Sequence, residues 1–219
     1  MKSVILWTVV LLSAVAHSYA IEVSLGPTLA VKGTVNTVAP GTGLKTGFAL
    51  NNMPDIGLTT RLMPAKDLGI GFLLDIESTG YGYIVRPENE DFANDSNTYL
   101  TRHSYITIAP SLYLGGLTLG VGIMLPTNRT TATVSGNELI GGFIGEQQAS
   151  PALEVRLGAM IPVIRSKFGD LTFNIRGTYM LDGHFTTEVP SYPGTFLTTS
   201  NPQSASLSLG LTYLFHVVD

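Results

Sequence analysis

The chain has 219 residues and a formal net charge of −4, with 13% charged and 44% hydrophobic residues. Typical soluble proteins carry roughly 25% charged residues, so this chain has too little charge for a solvated skin, and it shows no basic footprint of the kind that binds nucleic acid. It contains no cysteine, which excludes disulfides, iron–sulfur centres and thiol catalysis.

Residues 1–20 read as a secretory signal peptide. Lys2 supplies the positive n-region, residues 4–15 the apolar h-region, and Ser18-Tyr19-Ala20 a small-x-small cleavage site. The h-region is shorter than the roughly 20 apolar residues a spanning helix needs. The mature chain is therefore expected to start at Ile21 and to form one domain over residues 21–219. Beyond it, the hydropathy alternates with the period of two that marks strands with unlike faces.

The first strand is predicted over 21–31, with Ile21, Val23, Leu25, Leu29 and Val31 on one face and Pro27 as a local irregularity on that face. Residues 33–54 read as a Gly-, Thr- and Asn-rich loop, in which Phe48-Ala49-Leu50 is an apolar island able to extend a strand. A second strand over 56–63 turns at Pro64-Ala65-Lys66-Asp67 into a third. There Ile70, Phe72, Leu74 and Ile76 alternate with Gly69, Gly71, Asp75 and Glu77 as far as about Val85. An acidic loop over 86–97 precedes a strand over 99–114 that sets Ile106, Ile108, Leu112 and Leu114 against His103, Tyr105, Thr107 and Ser111. Gly115-Gly116 turns it into 117–125, where Leu117, Leu119, Val121, Ile123 and Leu125 alternate with Thr118, Gly120, Gly122 and Met124. After a loop over 126–149, strands over 151–164 and 171–181 flank a turn at 166–170, and a Pro-containing loop over 183–203 leads to the last strand. The three short turns belong on one side and the four longer loops on the other.

The last strand, residues 204–215, puts Leu207, Leu209, Leu211, Tyr213 and Phe215 on one face and Ser206, Ser208, Gly210 and Thr212 on the other. In Ser208, Gly210, Tyr213 and terminal Phe215 it resembles the closing strand of bacterial outer-membrane β-barrels, although His216-Val217-Val218-Asp219 follow where that family stops. Through its strand pattern the whole mature chain resembles the small outer-membrane barrels, including the transmembrane part of OmpA, OmpX and the PorT-like barrels. The resemblance implies an all-β fold, an eight-stranded antiparallel up-and-down transmembrane barrel with short periplasmic turns and four longer extracellular loops. It also implies residence in the outer membrane among lipid and lipopolysaccharide, and recognition of Ser208, Gly210, Tyr213 and Phe215 by the barrel-assembly machinery. The last four residues are then expected to be dispensable. A soluble eight-stranded barrel of the lipocalin type would need Lys and Glu on its outer faces, where this sequence has Leu, Ile and Val.

By strand parity the barrel interior collects Glu22, Asp75, Glu77 and Glu154 with Arg61, Arg156 and Arg176. An interior of eight strands is just wide enough for side chains to fill. Arg61, Asp75, Glu77, Glu154, Arg156 and Arg176 are expected to form one charge cluster that plugs the lumen, with a proton or ion path as the alternative. His103-Ser104 cannot form a catalytic pair, because neighbours on a strand face opposite ways; His103 is expected to be a hydrogen-bonded interior residue. His184 with Thr186 has same-face spacing but no evident partner acid. Glu88, Glu90, Asp91 and Asp95 lack the order of a calcium loop and read as a solvated acidic face. Asn128-Arg129-Thr130 matches a glycosylation sequon by accident of composition. Tyr81 and Tyr83 read as an interfacial belt or a binding patch. No catalytic residue, cofactor or metal ligand set is expected. The leading reading is a non-enzymatic surface barrel with a structural, adhesive or surface-recognition role and an extracellular ligand of unspecified nature. The alternatives are a conduit for a small or apolar solute, support for secretion, and a lipid-modifying enzyme.

Overall fold

A computed structural model describes residues 21–51, 53–65, 69–136, 149–192 and 199–218. The signal-peptide region and residues 66–67 of the first short turn lie outside the described residues. The strands are β1 (Glu22–Asn36), β2 (Leu44–Gly47), β3 (Ala49–Leu50), β4 (Asp55–Ala65), β5 (Ile70–Pro87), β6 (Tyr99–Leu114), β7 (Leu117–Thr133), β8 (Ala152–Ser166), β9 (Gly169–Met180), β10 (Val189–Pro190), β11 (Thr199–Ser200) and β12 (Ser204–Val218). β1, β4, β5, β6, β7, β8, β9 and β12 pair antiparallel with their neighbours in that order, and β12 returns to β1. The fold is an eight-stranded up-and-down barrel. Closure leaves no long edge: each wall strand has a partner on both sides over the span it shares with them, and there the ladders satisfy the backbone polar groups without water.

The alternation decides which face turns outward. Leu119, Leu157 and Leu209 are 50%, 63% and 44% exposed, as are their apolar neighbours all round the wall. Thr59, Asp75, Thr107, Glu154, Arg156 and Ser208 point in and are buried. Soluble monomers rarely expose contiguous apolar patches beyond a few hundred Å², and a belt that encircles the molecule is the exterior of a barrel that spans a bilayer.

The short turns close one end. Gly115 and Gly116 adopt φ of 58° and 104°, the two left-handed positions a two-residue hairpin turn requires. Lys167 and Phe168 link Ser166 to Gly169, which pair across the third turn. At the β1–β12 seam the register passes from Leu25↔Phe215 to Thr28↔Thr212, so Gly26 and Pro27 have no β12 partner there. A Cβ on Gly26 would collide with the Tyr213 carbonyl, so glycine allows the strands to meet beside the proline that cannot donate.

The strands run further than the hydropathy suggested. β1 continues to Asn36, because Lys32, Thr34 and Asn36 keep the inward parity and Val35 the outward one past the break at Gly33. Part of the expected 33–54 loop is also strand: β3 pairs with β1 and β2 with β5. β7 runs to Thr133, eight residues past the expected end, across a register shift opposite Ser104 and Tyr105. At the other terminus the last residues are not an overhang. Val218 pairs with Val23 and His216 with Ser24, so the tail is part of the wall.

Candidate functional site

The lumen is filled in layers. At mid-height Arg156 donates from Nε to Glu154 Oε1 at 2.5 Å and from Nη1 to Glu77 Oε2 at 3.1 Å. Arg176 Nη1 donates to Glu77 Oε1 at 2.8 Å, and both guanidinium groups lie 3.6 Å from Asp75 Oδ2. Thr59 donates to the other Asp75 oxygen at 2.7 Å. Tyr81 donates its phenol proton to Glu154 and contacts the Thr178 hydroxyl at 3.0 Å. The structure thus brings together Asp75, Glu77, Glu154, Arg156 and Arg176. It also adds Lys32 and Asp55, which sequence reading left in or beside a loop. Lys32 is 2% exposed, with Nζ 2.7 Å from Asp55 Oδ2, bonded to the Thr79 hydroxyl, and 4.2 Å from the Tyr81 ring centre. Their inward parity was a readable signal, hidden only by placing the strand boundary at Val31. A cavity of about 40 Å³ below the belt, lined in part by Thr28, Asp75, Arg156, Asn174 and Arg176, has room for water and little more.

Arg61 does not join this belt. It lies near the short-turn end, where Nη2 donates to Glu22 Oε1 at 2.6 Å and Asp170 Oδ2 at 2.9 Å. The strands tilt, so Ser24 and Leu73 are its β1 and β5 partners while Asp75 pairs with Thr59 one pleat higher. The expectation of one cluster is corrected to two. Leu73, Met160 and Leu214, with Tyr113, form an apolar layer on the short-turn side of the belt.

The long-loop end is capped by the chain itself. His184 and Phe185 fold inward and are buried, as is Val189 at the start of the β10–β11 hairpin, while residues 186–188 between them are exposed. The His184 N–H donates to the Pro202 carbonyl at 2.9 Å, Ser150 donates to the His184 carbonyl at 3.0 Å, and the Asn201 side chain bonds both N–H and C=O of Phe185. Tyr192 donates to the Asn97 carbonyl at 2.6 Å, tying this loop to the acidic one. In that loop Glu90 pairs with Lys45 at 2.6 Å, and the Lys45 hydrogen bond and charge hold its carboxyl below the usual range. Tyr81 and Tyr83 point inward under the cap, a correction to their reading as a surface belt; they share the odd-numbered face of Asp75 and Glu77.

Two histidines meet there. The His103 and His184 rings stack at 4.1 Å between centroids and 10° between planes. His184 Nδ1 lies 2.7 Å from the Tyr105 hydroxyl and Nε2 2.8 Å from Ser204 Oγ. Among the described residues neither nitrogen of His103 has a hydrogen-bond partner, contrary to the expectation for that residue, because the space around it is taken by Tyr83, Tyr105, His184 and Phe185. Burial pushes the His184 imidazole down from 6.5 to about 3. A base held below its unfolded value binds fewer protons in the closed state, so closure is at full strength above about pH 6.5 and weakens as pH falls towards about 3. Proteolysis of residues 183–203 in the folded barrel should accelerate across that interval, and His184→Gln should flatten the profile. Equal protection of the wild-type loop at both ends of the interval would contradict this.

The closed antiparallel wall, polar filling and apolar belt define a membrane-spanning β-barrel. No family model matches the chain, and no curated protein matches it. Among solved structures it is similar to Neisserial surface protein A, with 12% identity, 87% of this chain and 95% of that chain covered, and a TM-score of 0.36. It is also similar to the outer membrane protein AlkL, with 12% identity, 92% and 93% coverage and a TM-score of 0.44. For the outer membrane protein OprG from Pseudomonas aeruginosa the values are 15%, 90%, 94% and 0.37.

Proposed function

We propose that the protein is a non-enzymatic outer-membrane barrel, exported by the general secretory pathway through residues 1–20, whose long-loop end serves a structural, adhesive or surface-recognition role. The observation that carries this reading is the filled lumen. A belt of seven ionisable groups, an apolar layer and an inward-folded loop occupy it from the mid-plane to both ends, and a pore would need a continuous aqueous path instead. Lipid and lipopolysaccharide are the partners of the apolar belt, the barrel-assembly machinery reads the closing strand, and an extracellular ligand meets the loops.

The Ser204–His184 contact supports the same reading although it has the form of a nucleophile with its base. Both residues are buried, and His184 Nδ1 faces a phenol where a carboxylate would orient and charge the imidazole. His184 also belongs to the loop that closes the mouth, so any opening that admitted a substrate would withdraw the base from the serine.

The protein is expected to fractionate with outer membranes, to migrate faster unboiled than boiled in detergent gels, and to show no stepwise conductance in planar bilayers. Solubility without detergent would refute the location. Reproducible unitary currents would refute the plug and favour the conduit.

A further inference from the structure

At the short-turn mouth, Glu22 on β1, Asp170 on β9 and His216 on β12 turn side chains towards one point. One ligand atom from each lies within 4.8 Å of the others. We propose that this group is a binding site for a divalent first-row transition metal of the Zn²⁺ type, with Glu22, Asp170 and His216 as protein ligands and a fourth position open to water.

The geometry argues for it in four ways. First, β12 lies between β9 and β1, and its pairings Leu214↔Asp170 and Ser24↔His216 fix the three residues on adjoining strands. A rigid wall therefore sets the ligand spacing. Secondly, His216 Nε2 lies 3.5 Å from Asp170 Oδ1 and 4.0 Å from Glu22 Oε1. Tetrahedral bonds of about 2.0–2.2 Å place ligand atoms roughly 3.4 Å apart, so the first spacing fits and the second needs a small side-chain rotation. Thirdly, His216 Nε2 is a buried atom with no hydrogen-bond partner among the described residues, aimed between two carboxylates at 3.5 and 4.0 Å. That is how an imidazole stands when a cation is to complete its coordination. Fourthly, the side chains of His216 and Asp170 are 14% and 12% exposed, so a small ion can enter from the short-turn side.

Arg61 does not compete for the site. It holds Asp170 through Oδ2, leaving Oδ1 on the His216 side; Glu22 Oε1 accepts from Arg61 at 2.6 Å and from the Ser24 hydroxyl at 3.2 Å, and rotation of that hydroxyl would free one of its two lone pairs for a metal. Arg61 is thus a positioning residue, like the outer partners that orient ligands in known metal sites. Its single positive charge leaves the two carboxylates one negative charge in excess when His216 is neutral, which favours a cation. One nitrogen and two oxygens suit a borderline metal better than a soft one.

The test uses the full mature barrel refolded in detergent and stripped of metal by a chelator. Zn²⁺ binding is measured by equilibrium dialysis, and Co²⁺ is used as a spectroscopic probe. A stoichiometric Zn²⁺ that raises the unfolding temperature, and a Co²⁺ complex with tetrahedral visible absorption, are expected. Both should be lost in His216→Asn, and Arg61→Lys should weaken Zn²⁺ by roughly tenfold. The unboiled gel shift shows that each variant is folded. Zn²⁺ binding unchanged in His216→Asn would overturn the site, as would no binding by the folded wild type. Loss on changing Glu90 and Asp91, with His216→Asn unaffected, would move the ion to the outer loop and equally overturn it. None of these outcomes depends on whether the barrel conducts, so the site and the proposed surface role fail separately.

Discussion

Arg156→Ala should lower the unfolding temperature of the barrel in detergent while leaving it closed to ions. Arg156 is 2% exposed and bonds two carboxylates, Glu154 and Glu77, with a third, Asp75, at 3.6 Å. Glu154 is fully buried and Glu77 is 2% exposed, so removing the guanidinium leaves negative charge that water reaches only through a cavity of about 40 Å³. Breaking a buried pair from one side costs about 3–5 kcal/mol. Arg176 still reaches Glu77 and Asp75, so Glu154 suffers most, with Tyr81 and the more distant Lys32 left among the described residues to offset it. Arg156→Lys should recover only part of the loss, since an ammonium cannot span Glu154 and Glu77 with a planar fork. Unchanged stability together with a new conductance would mean that these charges line a path.

Phe215→Ser should abolish or strongly reduce assembly in cells while allowing the purified chain to refold in detergent. Phe215 is 52% exposed on the outer face, and its ring meets that of Tyr213 edge-on at 4.6 Å. Its pairings with Leu25 and Gly169 hold backbone groups and remain available to serine. The substitution therefore removes an aromatic from the lipid-facing surface near the short-turn end without touching the lumen. If the closing strand is what the assembly machinery recognises, the folded, fast-migrating species should fall in membranes and persist after refolding in vitro. Normal membrane assembly of Phe215→Ser would place the recognition elsewhere.

Strand count, facing and closure were legible because a bilayer enforces a strict rule on every outward position, and the rule shows as period two. Parity also placed Asp75, Glu77, Glu154, Arg156 and Arg176 inside. It could not group them, since the tilt that aligns Arg61 with Glu22 and Asp170 is a property of the closed wall and leaves no trace along the chain. Lys32 was missed because the apolar rule lapses where a strand rises beyond the hydrocarbon, although the inward face keeps its alternation. Asp170 was assigned to a turn and His216 to a dispensable tail, and their meeting with Glu22 rests on pairings between residues nearly the full chain apart. The inward loop was illegible for a different reason: His184 and Phe185 sit in a segment with no period, and only tertiary packing shows where they go.

The wall is uneven in height. β5, β6 and β7 have 18, 16 and 17 residues, and β9 has 12. On β5 the outer apolar row stops at Ile76, yet the strand runs to Pro87, and at roughly 3.3 Å per residue it stands well clear of the hydrocarbon. On the β8–β9–β12 side the outer apolar row continues to Leu153, Leu181 and Leu207, close to where those strands end. Among the described residues, the strand wall around the capping loop is thus taller on the β5–β7 flank than at β9. In a bilayer the headgroup layer would meet the capping loop first across this lower flank, so bulky anionic headgroups and small zwitterionic ones would surround that loop differently.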